Sequence, residues 1–168
     1  PRVVSLPALG RTNIDLAAPM DQIEAAVQAI DGSVIVVAHS GGVIATAHWA
    51  QRTRATVQGA LLATPPLFLG PLGPEFPALT DFEREGWMPV PRSPLPFKSI
   101  VAASRNDPLG RYEGVCELAQ AWGARLVDLG ESGHLNPASG FGVWPLARQL
   151  IHELADTASM DRASATAL

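Results

Sequence analysis

The stretch Val34-Ile35-Val36-Val37-Ala38-His39-Ser40-Gly41-Gly42 decides the reading of this chain. Its first four residues are continuously apolar and β-branched, the composition expected of a central strand buried on both faces. The next five turn at once into a segment of helical character running from Gly41 to about Gln51. A serine on such a turn projects its hydroxyl above the sheet edge, and small residues two positions before and after it, here Ala38 and Gly42, leave room for the closely approaching backbone. The N–H of Gly41 opens the new helix, where the helix dipole is positive, and is therefore placed to receive a developing oxyanion. Ala38 stands where the pattern G-x-S-x-G carries its first glycine, and alanine is the next smallest residue.

Outward from this turn, apolar runs of strand length alternate with helical stripes, the signature of a parallel sheet covered by helices. Strands are expected over residues 2–6, 34–37, 57–63, 99–103 and 125–129, with 34–37 at the sheet centre. Ile23, Ala26, Val27 and Ile30 fall at i, i+3, i+4, i+7 before Gly32. Tyr112, Val115, Cys116 and Ala119 repeat the spacing before Gly123, and Ala147, Leu150, Ile151 and Leu154 do so after Pro145. Each stripe predicts an amphipathic helix packed on the sheet. Residues 156–168 are small and polar without a period and are expected to form a flexible tail. The chain reads as one domain over 1–155, with residues 64–97 set apart by nine prolines and by Phe68, Phe76, Phe82 and Trp87. Prolines prevent continuous helix or strand there, and the aromatics supply apolar surface, so the segment is expected to be a lid or substrate wall, with Phe68 and Trp87 as substrate contacts. The alternative is that these rings pack into the core for stability alone.

Composition narrows the function. The chain has 168 residues, 47% of them hydrophobic and 17% charged, with a formal net charge of −4. A core is affordable at that length, and clustered lysine and arginine, which a nucleic-acid backbone demands, are lacking. Lys98 is the single lysine and Cys116 the single cysteine, which rules out an intramolecular disulfide and makes a cysteine zinc site implausible. No run of about 20 apolar residues is present for a membrane span. The expectation is a soluble, cytoplasmic protein requiring neither metal nor organic cofactor, partnered by a small molecule and open to self-association.

A serine hydroxyl is a weak nucleophile unless a base removes its proton, and the base requires an acid to fix its tautomer. His39, beside Ser40, is expected to point away, while His48 and His152 fall on helices. His134, in Gly130-Glu131-Ser132-Gly133-His134-Leu135-Asn136, follows the last strand, at the sheet edge where α/β sites assemble. Asp107 follows the strand over 99–103 and precedes His134, giving the chain order Ser, Asp, His. Asp128 also lies between Ser40 and His134 but inside a strand, so position favours Asp107, whose alternative role is a turn or helix cap.

With those loops placed, the chain resembles the small α/β-hydrolase family of predicted serine esterases that includes bacterial YdeN-like proteins and retinoblastoma-binding protein 9 homologues. The likeness spans about 2–154 and is densest in Leu95-Pro96-Phe97-Lys98-Ser99, Val101-Ala102-Ala103-Ser104-Arg105-Asn106-Asp107-Pro108, Trp122-Gly123, Gly133-His134-Leu135-Asn136 and Ser139-Gly140-Phe141-Gly142-Val143-Trp144-Pro145. It implies a three-layer α/β sandwich with a mostly parallel sheet, a serine carboxylesterase, and Ser40, Asp107 and His134 on the nucleophile, acid and base positions; the aromatics of 64–97 favour a small apolar ester over a highly charged substrate. The family's first strand and its glycine-containing loop, source of a second oxyanion donor, are not found before residue 2, either because the sequence is shortened there or because the element is lost, and Gly41 is the visible donor. Two other readings follow: a catalytically impaired binding protein on the same scaffold, and an anion cradle at the Ala38 to Gly42 turn. The cradle lacks the longer glycine loop or Lys-Ser/Thr pair that it requires.

Overall fold

The computed structural model describes residues 2–10, 14–70, 73 and 76–165. Four parallel strands form one sheet in the order β1 (Ile35–His39), β2 (Gly59–Ala63), β3 (Lys98–Ala103) and β4 (Arg125–Asp128). Registers run Ile35 opposite Gly59, Gly59 opposite Lys98 and Ile100 opposite Arg125. Each strand steps to the next neighbour in one direction. Right-handed crossovers then require the connecting helices to share a face. Accordingly α2 (Gly41–Ala50) and α4 (Tyr112–Ala121) pack on one side, where Ala38, Ala60, Leu62, Val101 and Ala103 meet Val43, Ala47, Val115 and Leu118. Helix α5 (Pro145–Ala165) follows the last strand and covers the opposite face, where Leu61 and Ile100 meet Leu150 and Leu154. The period-two alternation along β2 and β3 thus serves two separate apolar clusters.

Helix α1 (Ala17–Gln28) buries Met20, Ile23 and Val27 against α2 and ends four residues short of Gly32, whose φ is +106°. Glu24 accepts hydrogen bonds from Trp49 Nε1 and Thr53 Oγ1 and so ties the two helices together at their solvent side. In α4 the buried stripe is Val115, Leu118 and Ala119, while Cys116 is only half buried. Helix α5 continues to Ala165, through most of the segment expected to lack structure. Its distal part, rich in alanine, has helix propensity without an apolar stripe, which periodicity does not register. Residues 166–168 lie outside the described residues.

Two expectations are corrected. Residues 2–6 form no strand: the stretch 2–10 is extended coil with Val3, Val4, Leu6 and Leu9 exposed. Its β-branched composition suits a strand, but a strand exists only where a neighbour completes its ladder. Strand β1 is likewise an edge strand rather than the sheet centre, paired to β2 alone among the described residues. Val37 is therefore 55% exposed, while every residue of β2 is buried, because β2 has strands on both sides and helices on both faces.

The segment over 64–97 contains one short helix, α3 (Leu79–Arg84), and packs inward. Phe68, Phe82, Trp87 and Leu95 all join the main core. Phe68 lies 4.7 Å from Phe82, which meets Trp87 edge-on at 6.1 Å, a geometry that aromatic quadrupoles favour. The rings thus pack on one another and on the main core, the contribution to stability that the second sequence reading describes, while Trp87 also borders the elbow. Residues 71, 72, 74 and 75 of this segment lie outside the described residues. Leu62, fully buried between β1 and β3, is a direct probe of this core. Leu62→Ala is expected to lower unfolding free energy by about 2–5 kcal/mol, read as a lower urea midpoint at unchanged denaturant slope.

Candidate active site

Ser40 terminates β1 in a conformation that few non-glycine residues adopt, with φ 55° and ψ −128°. Its amide donates to the Ala63 carbonyl at 3.0 Å and its carbonyl accepts from Val43 N–H at 2.9 Å. The turn is thereby clamped between the neighbouring strand and the first turn of α2. A Cβ added at Gly42 would sit 3.9 Å from the Ala38 methyl, an ordinary contact, so the two small residues face each other across the elbow without crowding.

The Ser40 hydroxyl meets His134 Nε2 at 2.8 Å. On the other side of the ring, His134 Nδ1 lies 2.9 Å from both Asp107 carboxylate oxygens, and both side chains are almost wholly buried. A carboxylate accepts, so Nδ1 carries the proton and Nε2 faces Ser40 with its lone pair when the ring is neutral. Asp107 Oδ1 also accepts from Leu109 N–H at 2.9 Å, which closes a turn ahead of α4. The acid and turn readings of Asp107 therefore hold together. The structure brings all three sequence-predicted residues into one hydrogen-bonded chain, drawn from the ends of β1, β3 and β4.

The two loops that carry Asp107 and His134 are bound to each other. Asn106 Oδ1 accepts from Gly133 N–H at 2.6 Å and from Ser104 Oγ at 2.9 Å. Ser104 Oγ in turn accepts from Ser132 N–H at 3.0 Å, and Arg105 N–H donates to the Gly130 carbonyl at 2.8 Å. Within the second loop, Ser139 Oγ accepts from His134 N–H at 3.0 Å and donates to Asn136 Oδ1. Gly133 has φ +57°, and an added Cβ would lie 2.5 Å from Ser139 Cβ and Oγ, so only glycine fits. Asp128 takes no part in the chain. It pairs with Arg105 at the surface, and that guanidinium, with the Gly130 amide, brings its carboxyl down to about 2.

Gly41 N–H is the first amide of α2. A Cβ on Gly41 would lie 3.1 Å from Leu9 Cδ1 and 3.8 Å from the Trp87 ring, so these two side chains border the expected oxyanion position. Trp87 is fixed by a hydrogen bond from its indole N–H to the Ile14 carbonyl and by the contact of its own carbonyl with His48 Nε2 at 3.1 Å. Phe68 is further removed, two rings along the stack through Phe82. Leu9 had no motif to mark it. His39 departs from expectation as well: its Nε2 lies 2.7 Å from the His134 carbonyl oxygen instead of pointing away. Among the described residues no cluster of three His, Cys, Asp or Glu side chains is placed to hold a metal, and no helix is long and apolar enough to cross a membrane.

Residues 10–153 match the model of the serine hydrolase family. The chain belongs to that family. A YdeN-like hydrolase from Pectobacterium atrosepticum is 28% identical and superposes with a TM-score of 0.70, over 85% of this chain and 70% of that one. The ydeN gene product of B. subtilis is 18% identical with a TM-score of 0.64, over 84% and 75% of the two chains. Est1E from Butyrivibrio proteoclasticus, at 13% identity and a TM-score of 0.62 over 84% and 71%, shares the fold. No curated protein matches. The chain is thus an α/β-hydrolase-type member of the serine hydrolases, and the anion-cradle reading falls behind it.

Removing the cross-loop acceptor by Asn106→Ala is expected to lower kcat by about ten- to a hundredfold while leaving the thermal midpoint within a few degrees, since a displacement of about 1 Å at a reacting group has that effect. Steady-state kinetics beside a melting curve measure both.

Proposed function

We propose that the chain is a carboxylesterase that cleaves small apolar esters through Ser40, His134 and Asp107. The observation that carries this reading is the continuous chain from the Ser40 hydroxyl through His134 to the buried Asp107, set on a left-handed serine. In the first half of the reaction His134 Nε2 takes the Ser40 proton as Oγ bonds to the ester carbonyl carbon. The carbonyl π electrons move to oxygen, and that oxyanion is held by Gly41 N–H at the α2 N-terminus. The tetrahedral adduct collapses, the alkoxide leaves with the proton from His134, and Ser40 is left acylated. Water then gives a proton to His134 and attacks the acyl carbon, and the reverse collapse releases a carboxylic acid and restores Ser40. Asp107 keeps the proton on Nδ1 and stabilises the imidazolium throughout.

Apolar substrate preference is supported by what surrounds Gly41: Leu9 and Trp87, with Phe68 behind in the same aromatic stack, and no charged side chain among them. Trp87 and Phe68 are assigned here to the wall behind the substrate. A cytoplasmic setting accords with the one unpaired cysteine of the sequence.

A fluorophosphonate probe is expected to label Ser40 in the folded protein and to leave Ser40→Ala unlabelled. Label-free folded wild type would remove the serine-nucleophile reading in favour of a binding protein on the same scaffold. On a p-nitrophenyl ester series, turnover should favour short acyl chains. Asp107→Asn, which keeps the shape but reverses the preferred tautomer, should lower kcat by about 10³- to 10⁴-fold.

A further inference from the structure

Strand parity places Ile35, Val37 and His39 on the face of the sheet that α5 covers, and Ile35 packs there with Leu150 and Leu154. The 130–144 loop leaves β4 and leads into α5 on that same face. His39 and His134 therefore meet at the sheet edge although 95 residues separate them, with ring centroids 4.9 Å apart and tilted by 49°. The contact is polar as well as apolar. The His134 carbonyl oxygen lies 2.7 Å from His39 Nε2, and a carbonyl can only accept, so His39 carries its proton on Nε2.

We infer that His39 is a positioning residue: its Nε2–H anchors the main chain of His134 from below the elbow, fixing the imidazole against Ser40 in the active geometry. The inference rests on the esterase reading above and deepens it. Three independent restraints act on the base. Asp107 holds the ring at Nδ1, Ser139 Oγ holds the amide, and His39 holds the carbonyl. Only the last ties the base to the strand that carries the nucleophile. Because His39 is the residue before Ser40, any shift of the elbow is transmitted to His134 through one hydrogen bond, and the Oγ to Nε2 separation is preserved.

An adjacent imidazole carries a hazard, since a cation at His39 would oppose the imidazolium that forms on His134 during catalysis. His39 is exposed as a residue, but its ring is partly covered where it meets His134; that partial burial lowers its basicity from the ordinary value, and the neighbouring His134 ring lowers it further, against the raising effects of the His134 carbonyl and of Asp107. A neutral donor at position 39 thus gives the anchor without the opposing charge.

The test compares His39→Gln, whose amide N–H reaches about as far as Nε2, with His39→Phe, which keeps the ring but has no donor. Both are assayed on a p-nitrophenyl ester beside wild type and Ser40→Ala, with thermal midpoints recorded. His39→Phe is expected to lose about tenfold in kcat with KM within about twofold, and His39→Gln to recover to within about threefold of wild type. A purely structural role would lower the midpoint of both variants without separating them in kcat. The inference is overturned if folded His39→Phe keeps wild-type kcat, or if His39→Gln is as impaired as His39→Phe. Should His39→Phe fail to fold, His39→Asn, whose amide falls short of the carbonyl, takes its place with the same expected loss. Ser40-independent turnover in the Ser40→Ala arm would overturn the esterase reading itself, an outcome separate from any ranking of the His39 variants.

Discussion

The left-handed backbone at Ser40 is the constraint from which the rest of the site follows. A non-glycine residue held there costs on the order of 1–3 kcal/mol, and it persists only when its surroundings over-determine it. Here they do so from two directions. The Ser40 amide is bound to the Ala63 carbonyl at the end of the fully buried β2, and its carbonyl begins the hydrogen-bonding of α2, itself one of the most buried helices of the protein. The strain is thus borne by strand pairing and helix burial, not by the residues that do chemistry. What it achieves is directional: the chain reverses within one residue, and the side chain at its apex stands clear of both strand and helix.

Everything else has to be brought to that apex. A parallel sheet delivers all its strand ends to the same edge, so the loops after β1, β3 and β4 are neighbours by topology before any side chain is chosen. Topology alone leaves several ångströms of freedom in loops. The hydrogen bonds of Asn106 and Ser104 remove it by joining the acid and base loops through main-chain amides, which do not vary with rotamer, while Ser139 braces the base loop from within. Gly133 and Gly130, both at positive φ, allow the base loop to turn sharply enough for those amides to face inward.

The residues of the hydrogen-bonded chain were legible in the sequence because each is announced locally. Ser40 sits between a β-branched run and small residues, Asp107 and His134 lie in glycine-, asparagine- and serine-rich loops just past strands, and their order along the chain restricts the choice. The helix stripes around Ile23, Val115 and Leu150 were legible for the same reason, since periodicity is a local property. What failed was non-local. Residues 2–6 and 34–37 have strand composition, but whether a strand forms, and whether it lies at the centre or the edge, is decided by neighbours that a linear pattern does not contain. The orientation of His39 is illegible for a related reason: its partner is a main-chain carbonyl far along the chain, and a carbonyl has no residue identity to read. The aromatic segment over 64–97 marked itself as apolar, yet composition does not distinguish rings that face a substrate from rings that face one another.

That last distinction bears on how the hydrogen-bonded chain is polarised. Asp107 is its most buried member, His134 is almost as buried, and Ser40 is half exposed. Solvent access therefore rises steadily from acid to nucleophile. In the dry part, the attraction between a carboxylate and an imidazolium is strengthened by the low local dielectric, while at the open end the hydroxyl stays reachable. Phe68, Phe82 and Trp87 pack on one another, and of the three it is Trp87 that reaches Gly41, with Leu9 beside it. The connecting segment thus reaches the site through Trp87, whose place beside the elbow is set by the aromatic packing behind it, although none of its rings belongs to the hydrogen-bonded chain.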